Sequence, residues 1–373
     1  MELKIDKSNW KKVEFGNVVK KVSNKIIPNE YHSDIVIEGG HINKRDFHIR
    51  DYKNKKELGY LGPAFNMAFK KEQILYVSRN PHLMKVGYPY FDGICANTTF
   101  VMETQNEAVL SNELIPFLMH SDTFIEQSVA NVRGGVNPYV NWSDLSCIEF
   151  LLPPKDQQSK LSKLLWSLDK IIEQEKDLEI KMKVSRDVCF KKITSEIDGD
   201  RIPLSKVLIP KKEKSHPPHS REKYIGLEHI KTGEFETYHY NSSELAKSSC
   251  NIVNTGDLCY SKLRPYLDKA IISTFDAVST SELLIYDTKL VSKEYVLFHL
   301  HSKSFLNYIS HMGFGTKMPR VNHKIIGEYL IPIPQNEKYI LDKMNSFQKN
   351  LKLIQTRIHS SKNLKRNLIN QIF

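Results

Sequence analysis

The chain has 373 residues, enough for about two domains at roughly 150 residues each, and its 40% hydrophobic content and mean hydropathy of −0.42 exclude a disordered or membrane-spanning protein. Lys and Arg outnumber Asp and Glu by 54 to 43, a net charge of +11 that calls for a polyanionic partner, with nucleic acid as the first expectation. Five scattered cysteines without a C-x-x-C pair exclude a disulfide framework and a thiolate zinc site, and point to a reducing, cytoplasmic compartment. The charged first ten residues do not read as a signal peptide, and no apolar run approaches the ~20 residues of a membrane span.

In chain order, short β-like runs rich in branched and aromatic residues come first, at Ile74 to Ser78 and Thr98 to Met102. A helical stretch follows from Asn112 to Gln127, then a Gly-rich loop, Arg133-Gly134-Gly135-Val136-Asn137, then Leu151-Leu152-Pro153-Pro154. Next comes a long helix in which Leu161, Leu168 and Met182 recur at multiples of seven, with Leu164, Ile171 and Leu178 between them and Glu175 interrupting. The same grammar then starts again. Runs at Leu258 to Ser261 and Leu283 to Tyr286 precede a helical stretch from Lys293 to Ser310, a loop from Gly315 to Arg320, and Ile331-Pro332-Ile333-Pro334. The final helix carries Ile340, Phe347, Ile354 and Leu368 at multiples of seven, with Met344, Leu351 and Ile358 four later in each heptad.

This is a tandem duplication of a unit of roughly 185 residues. Tyr76 to Thr104 lies over Tyr260 to Thr288 at a constant offset of 184. Leu110 to Pro153 then lies over its copy at an offset of 181, so that Gly134, Pro138, Val140 and Asn141 fall on Gly315, Pro319, Val321 and Asn322. Upstream, Phe47 falls on Phe235 at an offset of 188. The expected organisation is a globular domain at 1–154, a long helix at 155–197, a second globular domain at 198–335 and a second long helix at 336–373. The expected fold class is α+β: two repeated globular α/β domains, each followed by a long helix, the two helices pairing as an antiparallel coiled coil with pseudo-two-fold symmetry. Such a molecule suits duplex DNA, whose own two-fold symmetry dimers match with two half-sites.

The chain resembles the specificity subunits of type I restriction-modification systems. The carriers are Gly256 to Pro265 (Gly-Asp-Leu-Cys-Tyr-Ser-Lys-Leu-Arg-Pro), Ala277-Val278-Ser279-Thr280-Ser281-Glu282, the Gly315…Pro319-Arg320-Val321 loop, and the Ile331 to Pro334 entry to the last helix. The first unit departs in detail, with Glu72-Gln73 in place of Gly-Asp and Ala96-Asn97-Thr98 in place of Thr-Ser-Glu. The resemblance implies tandem target-recognition domains that bind double-stranded DNA. It implies partners as well: two adenine-N6 methyltransferase subunits that bind S-adenosylmethionine, and two ATP- and Mg-dependent translocase-nuclease subunits. This chain would hold no cofactor and carry no chemistry.

The residues offer little to other functions. Asn137-Pro138-Tyr139 is similar to part of the Asn-Pro-Pro-Tyr signature of amino-methyltransferases, but the second proline is missing and the copy reads Met318-Pro319-Arg320. No Gly-rich loop after a strand offers a cofactor site, and no Walker motif is present. Asp92 and Asp276, His41 and His229, and His120 and His301 recur in both units and read as structural, and no metal site is expected. A stand-alone DNA-modifying enzyme and a protein-binding scaffold of another defence complex stay as alternatives.

The basic loops are the better DNA candidates. The loop that carries Arg133 and Asn137 in the first unit occupies the place of the loop that carries Lys317 and Arg320 in the second, and the turn with Arg79 and Asn80 occupies that of the turn with Lys262 and Arg264. Arg suits guanine, Asn suits adenine, and glycine lets backbone approach phosphate. Lys44, Arg45, Lys212 and Lys214 lie where the two units diverge, as two readers of different sequences should. The apolar stripes of the helices, Leu161 to Leu178 and Ile340 to Leu368, are the expected seam and partner interface.

Overall fold

A computed structural model describes residues 5–312 and 318–373. The chain divides into two compact units: Met1–Lys176 with Gln355–Phe373, and Asp177–Ile354. Each is mixed helix and sheet, and they repeat one plan.

In unit one a four-stranded sheet runs in the order Val19–Val22, Thr99–Thr104, Ile74–Val77, Val86–Gly87. In unit two the order is Leu208–Lys211, Leu283–Thr288, Leu258–Ser261, Ala270–Ile272. Even the register is kept: Ile74 faces Met102 and Tyr76 faces Phe100, as Leu258 faces Tyr286 and Tyr260 faces Leu284. A second sheet in unit one orders Lys53–Asn54, Ile35–Ile37, Gly93–Cys95, Met67–Phe69. Its copy, Asn241–Ser242, Lys223–Ile225, Ala277–Ser279, Cys250–Val253, gains a fifth strand, Lys214–Ser215.

The strands form where branched and aromatic residues are dense, and the first sheet of each unit buries one face on helices. Phe15, Ile74, Tyr76, Phe117 and Phe124 form the larger core of unit one. Tyr260, Tyr286, Tyr295, Phe298 and Phe305 form that of unit two. One contact is conserved by exchange. A Cβ on Gly16 would lie 2.6 Å from the Ser146 Cβ, and a Cβ on Gly327 would lie 3.0 Å from the Ser205 Cβ, so each pair needs a glycine on one side only.

Both long helices are continuous, Lys155–Ser195 and Glu337–Ile372, and they pack together. Each contributes to both units. Within unit one they run antiparallel: Asp169 bonds Lys365 at 2.8 Å, and Glu175, about one and two-thirds turns on, bonds Arg357 at 2.9 Å. Leu165 of the first helix and Leu368, Ile369 and Ile372 of the second enter the core there. In unit two Phe190, Ile340 and Met344 do the same.

The seam of the first helix is not the expected stripe. Leu164, Ile171 and Leu178 are exposed, and Leu161 and Leu168 are half-buried. The buried positions are Gln158, Ser162, Leu165, Asp169, Ile172 and Glu175, and, eleven residues further on, Arg186, Phe190 and Thr194; within each group the spacing is three or four, and most of them are polar. Asp169 and Glu175 are tolerated because cations and hydroxyls answer them: Lys365 and His48 for the first, Arg357 and Ser361 for the second. In the second helix Ile340, Met344, Leu351, Ile354, Ile358 and Leu368 are buried and Phe347 is half-buried.

Candidate nucleic-acid interface

The two basic loop motifs of each unit lie side by side, joined by backbone hydrogen bonds. In unit one the strand Ile74–Val77 leads into Ser78, Arg79 and Asn80. Asn80 takes a left-handed conformation, φ 52°, which turns the chain into the 3-10 turn Pro81–Leu83. The Asn80 amide donates to the Pro138 carbonyl at 2.7 Å and the Val140 amide donates to the Ser78 carbonyl at 3.0 Å. These two bonds bracket a pair in which Arg79 faces Tyr139. On its other side Tyr139 exchanges both backbone bonds with Arg133, at 2.8 and 2.9 Å. The result is a row, Arg79–Tyr139–Arg133, with all three side chains exposed. Gly134 sits at φ +83°, a left-handed conformation that glycine adopts without strain.

Unit two repeats the crossing on its own residues. Arg264 is left-handed at φ 49°. Its amide donates to the Pro319 carbonyl at 2.8 Å, the Val321 amide donates to the Lys262 carbonyl at 2.9 Å, and between them Leu263 faces Arg320. Lys317 lies outside the described residues.

Carboxylates hold two of these arginines in place. Arg133 donates to Asp144 at 2.8 Å, and Asp144 also accepts the Asn141 amide in a capping box. Arg320 donates to Glu282 at 3.3 Å. Both arginine side chains stay half exposed or more, 56% and 50%, so these pairs orient the guanidinium with little net stabilisation. Among the described residues, Arg79 and Lys262 have no side-chain partner, Asn137 is exposed, and the Arg264 Nε is buried without an acceptor.

The cations of the divergent regions are differently placed. Arg45 turns to Asp122 at 3.6 Å, although its amide donates to the Met84 carbonyl just past the Pro81–Leu83 turn. Lys214 donates to the Asn251 side chain at 2.5 Å. Lys44 and Lys212 are exposed. Among the described residues, none of these four side chains bonds to a residue of either loop crossing.

The recurring acids and histidines have structural work. Asp92 and Asp276 accept the amides of Lys71 and Thr255, equivalent turn positions. His41 and His229 accept the amides of Glu38 and Gly226 at 3.0 and 2.9 Å. His120 stacks on Phe47 and His301 on Phe235. His301 lies between the Asp268 carboxylate, 2.7 Å away, and the Ala270 carbonyl at 3.0 Å, whereas the His120 Nε2 has no partner.

Sequence reasoning missed one cluster. Asp46, His48 and Glu173 bring their ligand atoms within 4.8 Å of one another. The chain's own cations fill the place: Arg50 and Lys176 bond both Asp46 and Glu173, and His48 bonds Asp169 at 2.7 Å. Burial works to raise the Asp46 carboxyl, but Lys176, the His48 amide and Arg50 together pull it down to about 2. Burial likewise opposes ionisation of Asp169, and His48 and Lys365 override it to hold that carboxyl low. The arrangement is an ion-pair network that ties a loop of the globular part to the helices. Tyr139 and Leu263 were also missed as members of the rows. The offset of 181 that sets Tyr139 over Arg320 was the available signal.

Residues 7–182 match the family described as the type I restriction modification DNA specificity domain. The chain is 26% identical over 113 residues to the EcoDI specificity subunit of Escherichia coli, and 25% identical over 170 residues to the HindI specificity subunit of Haemophilus influenzae. Those alignments cover 30% and 44% of this chain, and 25% and 36% of the relatives' own length. The fold is similar over 100% of this chain and 98% of the other to a type I restriction-modification S subunit from M. genitalium, with a TM-score of 0.56 at 14% identity. It is similar at a TM-score of 0.55, again at 14% identity and over 97% of each chain, to a chain from a structure of complex assembly and conformational transition of the type I R-M system. No helix among the described residues is long and apolar enough to cross a membrane.

Proposed function

We propose, taking as premise that this chain is a relative of the specificity subunits of type I restriction-modification systems, that it reads a split, asymmetric DNA sequence and catalyses nothing itself. Unit one reads one half-site with Arg79, Asn80, Arg133 and Asn137. Unit two reads the other with Lys262, Arg264, Lys317 and Arg320. Lys44, Arg45, Lys212 and Lys214 add attraction to the phosphates in the divergent regions. The observation that carries this reading is the crossing of two loops that presents exposed arginine in each unit on the same backbone frame.

The two long helices fix the spacing between the half-sites and dock two adenine-N6 methyltransferase subunits. Leu164, Ile171 and Leu178, seven residues apart and exposed, give such a partner an apolar strip to cover. S-adenosylmethionine, ATP and Mg bind to the partner subunits, among them two translocase-nuclease subunits, and the complex works in the cytoplasm. Methylation-sensitive sequencing of the host genome tests the function. A split adenine-methylated motif that disappears when the gene is deleted is the expected result; a methylation pattern unchanged by deletion refutes it.

A further inference from the structure

The loop crossing is the same in both units, yet its side chains are exchanged. Asn80 and Arg264 share the left-handed turn, and the bracketing bonds agree within 0.1 Å, 2.7 and 3.0 Å against 2.8 and 2.9 Å. In unit one the strand-exit position holds Arg79 and the loop position holds Tyr139. In unit two the strand-exit position holds Leu263 and the loop position holds Arg320. The arginine has changed strands while the backbone beneath it has not.

Directly opposed residues between two bracketing bonds form the close, non-hydrogen-bonded type of antiparallel pair, and their side chains point to one face. Moving the arginine across such a pair shifts its anchor by roughly 4.5 Å. That exceeds the ~3.4 Å between successive nucleotides of a strand. The same exchange brings a leucine next to the arginine of unit two where unit one has a phenol. Arginine can fork onto the O6 and N7 of guanine, and an apolar side chain suits the thymine methyl.

We propose that this facing pair, Arg79 with Tyr139 and Leu263 with Arg320, sets the base preference of its unit. The proposal rests on the reading of the chain as a DNA reader and names which residues distinguish the two half-sites. Asn80, Arg264 and the prolines supply a common frame; the pair supplies the difference. Glu282, 3.3 Å from the half-exposed Arg320 guanidinium, orients that arginine beside the pair.

The test selects bound duplexes from a randomised library with the full chain, and sequences them. R79L/Y139R places the unit-two arrangement in unit one. It should change base preference roughly tenfold at one or two positions of one half-site and leave the other half-site as it was. L263R/R320Y should do the converse. Arg79→Lys keeps the charge and loses the fork, so it should lose discrimination at one base pair by a similar factor while the salt dependence of binding stays. A wild-type chain that selects no sequence overturns the DNA-reading function itself, and the proposal with it. A wild-type chain that selects a split sequence, left unaltered by R79L/Y139R and by Arg79→Lys, overturns the proposal alone. So does weakening of every sequence alike, which marks the pair as phosphate contacts.

Discussion

Lys365 of the second long helix meets Asp169 of the first at 2.8 Å, with 3% of the aspartate side chain exposed. His48 bonds the other carboxylate oxygen from the globular part of unit one. Removing one partner of a buried pair leaves an unanswered charge. Lys365→Met should therefore cost about 3–5 kcal/mol. Adding Asp169→Asn, which keeps an acceptor for His48, should restore most of that loss. Chemical denaturation of the two variants checks it, and equal stability of the single and double variants refutes it.

Two buried histidines, one in each unit, give the protein a sensitivity to mild acid. Burial, reinforced by Lys365, depresses His120 to about 3, and burial, reinforced by Arg201, depresses His299 to about 3. Both titrate normally, near 6.5, once unfolded. Their contribution is therefore present above pH 6.5 and is lost as the pH falls toward 3. Each removes about 1.4 kcal/mol per pH unit over that range. Asp46, held at about 2, adds a separate loss below its ordinary 3.8. The thermal midpoint should drop between pH 7 and pH 5, and His120→Gln with His299→Gln should flatten the drop.

The loop arginine outside the facing pair makes a prediction about salt. With Arg133 on a DNA phosphate, Arg133→Ala weakens binding and lowers the slope of log affinity against log salt by about 1. Asp144→Asn, which frees the same arginine, should move affinity the other way. Binding titrations at several salt concentrations read both effects, and an unaltered slope for Arg133→Ala removes that phosphate contact.

A ruler role for the helices predicts the effect of length. Seven residues inserted between Lys176 and Asp177, with seven between Ile354 and Gln355, preserve the heptad and add about 10 Å to each helix. The gap in the methylated motif should grow by about three base pairs, each rising ~3.4 Å. Sequencing of methylated sites in a strain carrying the insertions measures the gap; an unaltered gap rejects the ruler.

Much of the fold is legible in the sequence because repetition amplifies weak signals. One β-like run such as Ile74 to Ser78 is ambiguous, but the same run recurring at Leu258 to Ser261, before the same proline, is not. The long helices declare themselves by spacing and by the absence of glycine and proline. The seam of the first helix stays hidden because periodicity counts only apolar residues. Asp169 and Glu175 are buried on account of Lys365 and Arg357, nearly two hundred positions away in the chain. The candidate site is half legible for a similar reason. Arginine types mark the loops, but the facing of Arg79 with Tyr139 depends on a backbone crossing that no local pattern records. Asn80 hints at a left-handed residue; Arg264, in the same conformation, does not.

The sharing of helices between units has a consequence for synthesis. Unit two is one unbroken stretch, Asp177–Ile354, and can close as it leaves the ribosome. Unit one cannot. Its core waits for Leu368, Ile369 and Ile372, and Asp169 waits for Lys365, all translated after the whole of unit two. The half of the protein made first is thus finished last. A premature stop near Gln355 would spare the later-made unit and leave the earlier one open, its core without Leu368, Ile369 and Ile372 and exposed to chaperones and proteases.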